Sequence, residues 1–193
     1  MIRKAPALPH HALLTLLALL ALFALLVVLG VLIAGRIATP DRVTIPPGVP
    51  LPRHDLTPGA TDPRVAQANI HHTICVPGYS RAVRPSTAIT DPLKRAVIRA
   101  YGIHGPPSAY EGDHLVPLSL GGDPAAGGSQ ANFWPQPWHA TVNGQDVGAQ
   151  AKDGLELYLH QQVCADRLPL AVAQREIATN WYVAWVRHGR PAG

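Results

Sequence analysis

The sequence predicts an α+β protein with an N-terminal transmembrane helix, a proline-rich linker and one small, mostly helical domain. Three observations support this prediction: an uncharged apolar stretch near the N-terminus, a cluster of prolines after it, and helical and strand-like patterns in the rest. The 193 residues are enough for one compact domain with attachments and too few for two full-sized domains.

Residues 12–35 contain no charged side chain. As a helix this segment would be about 36 Å long, enough to cross a hydrocarbon core of about 30 Å. Arg3 and Lys4 precede it, so a cleaved signal peptide is the alternative, although the apolar core of such peptides is only about 7–15 residues long. We therefore expect a single-pass membrane protein with an extracytoplasmic C-terminal domain or, alternatively, a protein secreted after cleavage.

Prolines dominate the predicted linker, residues 36–64. They are Pro40, Pro46, Pro47, Pro50, Pro52, Pro58 and Pro63. Each proline removes a backbone donor and disfavours helix at the preceding residue, so we expect an extended tether. The folded domain should span residues 65–188, with a short basic segment at 1–11 and a tail at 189–193.

Within the domain, apolar spacing and turn residues predict the order helix, two strands, helix, helix. The predicted elements are a helix that starts at Thr90 and stops at Gly102, a strand over 110–120, a short strand around 132–134, and helices over 149–163 and 170–186.

Charge is unevenly distributed along the domain. Residues 64–100 contain six basic side chains and one acidic side chain, whereas residues 101–166 contain one basic and seven acidic side chains. Solvation of helix faces explains most such charges. A basic wall beside an acidic centre also suits a phosphate-backbone ligand if a divalent cation occupies the centre. The basic residues expected to bind nucleic acid are Arg81, Arg84, Lys94 and Arg95.

The chain has two cysteines, Cys75 and Cys164, which exclude a disulfide-dense miniprotein and a four-cysteine zinc site. If the domain is exported, we expect a disulfide between them, which stabilises a chain by up to ~4–5 kcal/mol on the entropic account. Two buried free thiols are the alternative for a cytosolic domain.

Candidate functional residues are concentrated in residues 110–118, which include Glu111, Asp113 and His114. At a strand end or bulge, Asp113 and His114 can flank one cleft, one binding a metal and the other addressing a water. Asn132 offers a neutral oxygen to a hard cation, and Glu111 shares a strand face with Asp113 as an alternative ligand. Taken singly, each residue also has an ordinary explanation as a surface or turn residue.

Together with flanking motifs, this stretch resembles the HNH endonuclease family, which has the ββα-metal fold. The resemblance covers residues 73–185, more than half the chain. Its motifs are ICVPGY at 74–79, VRP at 83–85, the Asp-His strand with its Gly-Gly turn, NFWPQ at 132–136, KDGLE at 152–156, and AQ, IA and W between 173 and 181. The resemblance implies a strand pair and a helix around one divalent metal. It also implies hydrolysis of phosphodiester bonds, with DNA rather than RNA as the expected substrate.

The resemblance also implies residue roles. His114 would be the general base, and Asp113 and Asn132 the metal ligands. Lys152 would add positive charge, or would pair with Glu156 on the helix surface. Many family members have a further histidine on the helix after the second strand, and its absence here favours Mg²⁺ or Mn²⁺ over Zn²⁺ or Ni²⁺. The alternative to an enzyme is a catalytically inactive nucleic-acid-binding or structural envelope protein on the same scaffold.

Overall fold

In the computed structural model the chain forms two compact units, Met1–Arg42 and Val43–Gly193. The structure describes residues 19–23, 25, 43–125 and 127–192. In the first unit, residues 19–23 and 25 are helical with exposed side chains. Most of the predicted transmembrane segment lies outside the described residues. Among the residues that are described, no helix combines the length and apolar character needed to cross a membrane.

The second unit begins inside the predicted tether, so the later part of that proline-rich segment packs onto the domain. The carbonyl oxygen of Pro50 accepts a hydrogen bond from Nε1 of Trp181 at 3.0 Å. Thr57 is completely buried, donates to the carbonyl of Phe133 at 3.3 Å and accepts from the Tyr101 hydroxyl at 2.8 Å. The backbone carbonyls and polar side chains of an extended segment need hydrogen-bond partners when they are buried. In this segment, Trp181 donates to the carbonyl of Pro50 and Tyr101 donates to Thr57.

The second unit is a mixture of helices and two small sheets. Its α-helices are α1 (Tyr79–Val83), α2 (Thr87–Ala100), α3 (Ala149–Cys164) and α4 (Leu170–Arg187). The last two lie within one residue of their predicted bounds. Helix α4 is kinked at Asn180, whose Oδ1 accepts from the backbone N–H of Val183 at 3.0 Å and so restarts the helix.

Helix α2 begins three residues earlier than predicted, after Ser86, and it contains Pro92 in its interior. A proline there removes one hydrogen bond of the helix. Burial of Leu93, Val97 and Ile98 along one face offsets that loss. The sequence predicts a start at Thr90 because proline is favoured in the first turn of a helix, and the burial that offsets an interior Pro92 depends on tertiary packing.

Two antiparallel strands, β1 (Tyr110–His114) and β2 (Phe133–Pro137), form the central hairpin. The first strand is predicted to extend to residue 120, but β1 ends at His114 and residues Leu118–Leu120 form a 3-10 helix. Pro117 immediately precedes this helix and has no N–H for strand pairing. The helix ends at Gly121, whose φ of 70° lies in the left-handed region that favours glycine.

A second hairpin, formed by β3 (Thr141–Val142) and β4 (Gln145–Asp146), is absent from the sequence prediction because two-residue strands have no readable periodicity. It fixes the start of α3. Oδ1 of Asp146 accepts hydrogen bonds from the backbone N–H groups of Ala140 at 3.0 Å and Gly148 at 2.9 Å.

The main apolar core lies between α3, α4 and the β1–β2 connection. Fully buried side chains on the two helices are Leu155, Leu159, Val163, Ala173, Ile177 and Trp181. A smaller cluster joins α2 to the hairpin through Leu93, Val97 and Phe133. Each large buried aliphatic side chain contributes about 1.5–3 kcal/mol, so these contacts fix the hairpin against both helices.

Gly122 lies in the loop after β1, where two stretches of backbone approach each other closely. A Cβ atom at this position would lie 1.8 Å from the carbonyl oxygen of Val116 and 2.7 Å from Nδ2 of Asn132. We expect Gly122→Ala to destabilise the fold by about 3 kcal/mol or more, at or above the upper end of overpacking costs, because a backbone oxygen cannot rotate away. Urea unfolding measures this free energy. Gly127→Ala is the matched control, since nothing lies within 4 Å of a Cβ there, and equal stability of the two variants would contradict the prediction.

Candidate functional site

His114 is the last residue of β1 and is 4% exposed. Its Nε2 atom lies 3.1 Å from the carbonyl oxygen of Pro124. Because a carbonyl only accepts, Nε2 carries the hydrogen in this bond and Nδ1 of the neutral ring keeps a free lone pair. The ring of Phe133 packs edge-on against the imidazole, with 5.2 Å between centroids. Burial lowers the pKa of His114, which favours the neutral form at pH 7.

Asp113 and Lys152 form a buried ion pair that ties α3 to β1. Oδ2 of Asp113 lies 2.8 Å from Nζ of Lys152 and accepts from Nε1 of Trp134 at 2.8 Å. Lys152 is completely buried, donates to the backbone carbonyl of His114 at 3.0 Å and also pairs with Glu156. Burial opposes its charge, but Asp113 and Glu156 outweigh that effect and raise the pKa of the ammonium group. Lys152 therefore pairs with Glu156, as the sequence analysis allowed, but inside the protein and with Asp113 as a second partner.

Three carboxylates influence one another's charge beside this pair: Glu111 and Asp113 from β1, and Asp153 from α3. Among the residues that the structure describes, the ligand oxygens of these three do not all lie within 4.8 Å of one another. Burial and the charges of Asp113 and Asp153 raise the pKa of Glu111 to about 7. Partial burial and Asp113 also raise the pKa of Asp153. The ion pairs that the structure describes here engage Asp113 and Glu156 but neither Glu111 nor Asp153. The cluster therefore holds negative charge that Lys152 only partly compensates.

Asn132 is completely buried, and its amide fixes the connection between β1 and β2. Its Oδ1 accepts from the backbone N–H of Val116 at 2.8 Å. Its Nδ2 donates to the carbonyls of Val116 and Asp123, both at 2.9 Å. The oxygen expected to face a cation faces a backbone N–H instead. We therefore reassign Asn132 from metal ligand to a residue that positions the loop below His114.

The carboxylate cluster fits a hard cation in its donor chemistry. Oxygen ligands from Glu111, Asp113 and Asp153 suit Mg²⁺ or Mn²⁺ better than Zn²⁺ or Ni²⁺. Asp153 is the most exposed of the three carboxylates, which leaves this side chain open to an ion from solvent. The sequence analysis missed Asp153 as a candidate ligand. Its position in the sequence directly after Lys152, which is on α3 and pairs with Asp113 of β1, could have indicated it.

A separate cluster surrounds the two cysteines. The sulfur atoms of Cys75 and Cys164 are 1.98 Å apart, as in the expected disulfide, and the bridge joins the segment before α1 to the last residue of α3. His160 lies one turn earlier on α3, with Nε2 3.3 Å from Sγ of Cys164. In the part of the chain that the structure describes, this is the one group of three His, Cys, Asp or Glu residues whose ligand atoms all lie within 4.8 Å of one another.

The four basic residues expected to bind nucleic acid lie on α1, on α2 or between them. Arg81, Arg84 and Arg95 are exposed and Lys94 is half-buried. Arg84 is close enough to the carboxylate cluster for its charge to lower the pKa of Glu111 against the larger effect of burial. None of the four takes part in an ion pair described by the structure.

Comparison with known proteins gives no match among protein-family models, curated proteins or solved structures.

Proposed function

We propose that the chain is a metal-dependent HNH-type endonuclease that hydrolyses phosphodiester bonds of DNA. The observation that carries the proposal is a buried histidine, His114, whose Nε2 is bonded to a carbonyl, which leaves Nδ1 as the available base, and which lies within the influence of the Asp113 charge. Hydrolysis of a phosphodiester needs a base for the attacking water and positive charge on the phosphate. The β1–β2 hairpin, joined to α3 through Lys152, supports the ββα arrangement that the family resemblance implies.

In this proposal His114 is the general base. Its Nδ1 takes a proton from a water molecule, while Nε2 keeps its hydrogen bond to the carbonyl of Pro124. That carbonyl orients the ring and stabilises the imidazolium that forms. The negative charge of Asp113 also favours the imidazolium. The resulting hydroxide attacks phosphorus in line with the leaving oxygen.

The carboxylates Glu111, Asp113 and Asp153 are the proposed ligands for Mg²⁺ or Mn²⁺. When bound, the cation stabilises the charge that develops on the phosphate and the leaving oxygen. Lys152 is a positioning residue, because it holds the Asp113 carboxylate and the backbone carbonyl of His114 in one arrangement. It does so from a completely buried position and does not contact the substrate.

The basic residues supply the proposed contacts to the nucleic-acid backbone. Arg84 places positive charge beside the carboxylates, and exposed Arg81 and Arg95 extend that charge along α1 and α2. Such side chains bind backbone phosphates whatever the base sequence and give salt-dependent affinity.

The proposal of DNA as the substrate comes from the family resemblance. An extracytoplasmic location agrees with the disulfide, and attachment to a membrane through residues 12–35 stays a prediction.

Cleavage of supercoiled plasmid DNA tests the proposal. We expect the full-length chain to produce nicked and linear DNA with Mg²⁺ or Mn²⁺ and to produce neither in a chelator. Asp153→Asn removes one proposed ligand without touching the Lys152 pair, and we expect at least a 10-fold loss of rate. Asp91→Asn, an exposed carboxylate on α2, is the control. Absence of cleavage by the wild-type chain with both metals would contradict the proposal.

A second candidate, a catalytically inactive nucleic-acid-binding scaffold, is favoured by the Lys152 pairs. The buried ammonium offsets one of the two negative charges of Asp113 and Glu156 from inside the protein, so this candidate needs no cation beside the hairpin. This candidate predicts DNA binding that weakens steeply with salt, no metal-stimulated cleavage, and a thermal unfolding temperature that Mn²⁺ does not change. The nuclease proposal predicts metal-stimulated cleavage and a thermal unfolding temperature that Mn²⁺ changes.

A further inference from the structure

We propose that Cys75, His160 and Cys164 form a zinc site when their disulfide is reduced. Their three ligand atoms already lie within 4.8 Å of one another. Two thiolates and one imidazole are ligands that Zn²⁺ prefers, and three protein ligands leave one position for water. None of these residues belongs to the carboxylate cluster, so the zinc site is independent of the proposed nuclease activity.

The spacing of the three residues suits tetrahedral zinc. His160 and Cys164 are four residues apart on α3 and therefore share one helix face. Nε2 of His160 is 3.3 Å from Sγ of Cys164, and zinc–ligand distances of about 2.3 Å to sulfur and about 2.0–2.1 Å to nitrogen would place these atoms about 3.6 Å apart. The two sulfurs must separate to about 3.8 Å once their bond is broken. Rotation of half-buried side chains can supply that change.

Reduction and metal binding balance as follows. A dithiol reductant delivers two electrons and two protons to the disulfide and is itself oxidised to a disulfide. Zn²⁺ then displaces both thiol protons and binds the thiolates of Cys75 and Cys164. In the oxidised protein, Nε2 of His160 donates to the carbonyl of Ile74 at 3.0 Å. Zinc binding moves that hydrogen to Nδ1, so that the Nε2 lone pair faces the metal.

A groove gives both the reductant and the metal access to the cluster. It has a volume of about 300 Å³ and is lined by residues 74–81 and His160. Cys75 lies in its wall, and the two cysteines are half-buried rather than sealed in the core. An access path and a coherent ligand set are the features expected of a genuine metal site. The same two chain segments would thus be joined by sulfur in one redox state and by zinc in the other.

Cobalt binding tests this inference, because Co²⁺ occupies zinc sites and reports thiolate ligands by charge-transfer absorption. The full-length chain, reduced with a phosphine, is expected to bind one equivalent of Co²⁺ with this absorption and to lose it when Zn²⁺ is added. The oxidised chain should show no such absorption. We expect His160→Ala to weaken Co²⁺ binding at least 10-fold, whereas His72→Ala, an exposed control, should not.

Two further measurements cover the possibility that reduction or substitution unfolds the chain. Circular dichroism follows the reduced chain with and without Zn²⁺, which is expected to raise its unfolding temperature. The Cys75→Ser/Cys164→Ser double variant should show no such rise. The inference is overturned if the reduced chain lacks thiolate charge transfer, if His160→Ala binds Co²⁺ as tightly as wild type, or if Zn²⁺ fails to stabilise the reduced chain. Plasmid cleavage by the oxidised chain is a separate readout, so failure of the nuclease proposal is distinguishable.

Discussion

Replacing His114 by alanine is expected to lower the rate of metal-dependent DNA cleavage by about 10²–10⁴-fold. The reason is the loss of the free Nδ1 lone pair, which in the proposed function takes the proton of the attacking water. The ring is oriented by one hydrogen bond, from Nε2 to the carbonyl of Pro124, and by the edge of Phe133. Initial rates of plasmid nicking at saturating Mn²⁺ measure the loss.

Two comparisons separate a catalytic effect from unfolding. His104→Ala removes an exposed histidine outside the cluster and should leave the rate unchanged. His114→Gln places an amide N–H close to the position of Nε2 and so keeps a donor for the Pro124 carbonyl, but it has no ring nitrogen to act as a base and should be as inactive as the alanine variant. Urea unfolding shows whether each variant is folded under the assay conditions. Cleavage at the wild-type rate by folded His114→Ala would remove His114 from the mechanism.

Replacing Lys152 by methionine is expected to lower the free energy of unfolding by about 3–5 kcal/mol, the range found when one partner of a buried ion pair is removed. Methionine is close to lysine in length and apolar volume but brings no charge. Asp113 then loses the ammonium at 2.8 Å, and Glu156 loses its neighbour one helical turn away. The backbone carbonyl of His114 also loses its donor.

The control is Lys94→Met, because Lys94 is half-buried on α2 and has no ion pair described by the structure. It should change stability by less than about 0.5 kcal/mol. Combining Lys152→Met with Glu156→Gln removes one of the two stranded charges and should recover part of the loss. Urea unfolding measures all three variants. A loss below about 1 kcal/mol for Lys152→Met would show that Lys152 does not compensate buried charge.

Local pattern was enough to predict α3 and α4, because buried residues such as Leu155, Leu159 and Trp181 recur at helical spacing over four or more turns. It was not enough for the proline-rich segment. Proline spacing indicates extended backbone but does not indicate whether that backbone packs against the domain. Thr57 is buried, and its hydrogen bonds join it to residues 44 and 76 positions away in the sequence. Such contacts have no signature in the local sequence.

In the candidate site, too, local sequence predicted some features and tertiary contacts determined the others. The sequence indicated that Asp113 and His114 lie on one strand, and the structure places them at its end because β1 stops at His114 rather than at residue 120. It could not separate two uses of an asparagine, and the amide of Asn132 is committed to backbone groups of Val116 and Asp123. The pairing of Lys152 with Glu156 follows from helical spacing, but its pairing with Asp113 joins residues 39 positions apart and depends on how α3 packs on β1.

The bond between Cys75 and Cys164 has a consequence for damage by proteases. Glu111, Asp113, His114 and Asp153 all lie between the two cysteines, which are 89 positions apart. One cut in the exposed turn at residues 127–129 would therefore release nothing, since both fragments remain covalently attached. On a denaturing gel the clipped molecule would migrate as one species without reductant and as two with it.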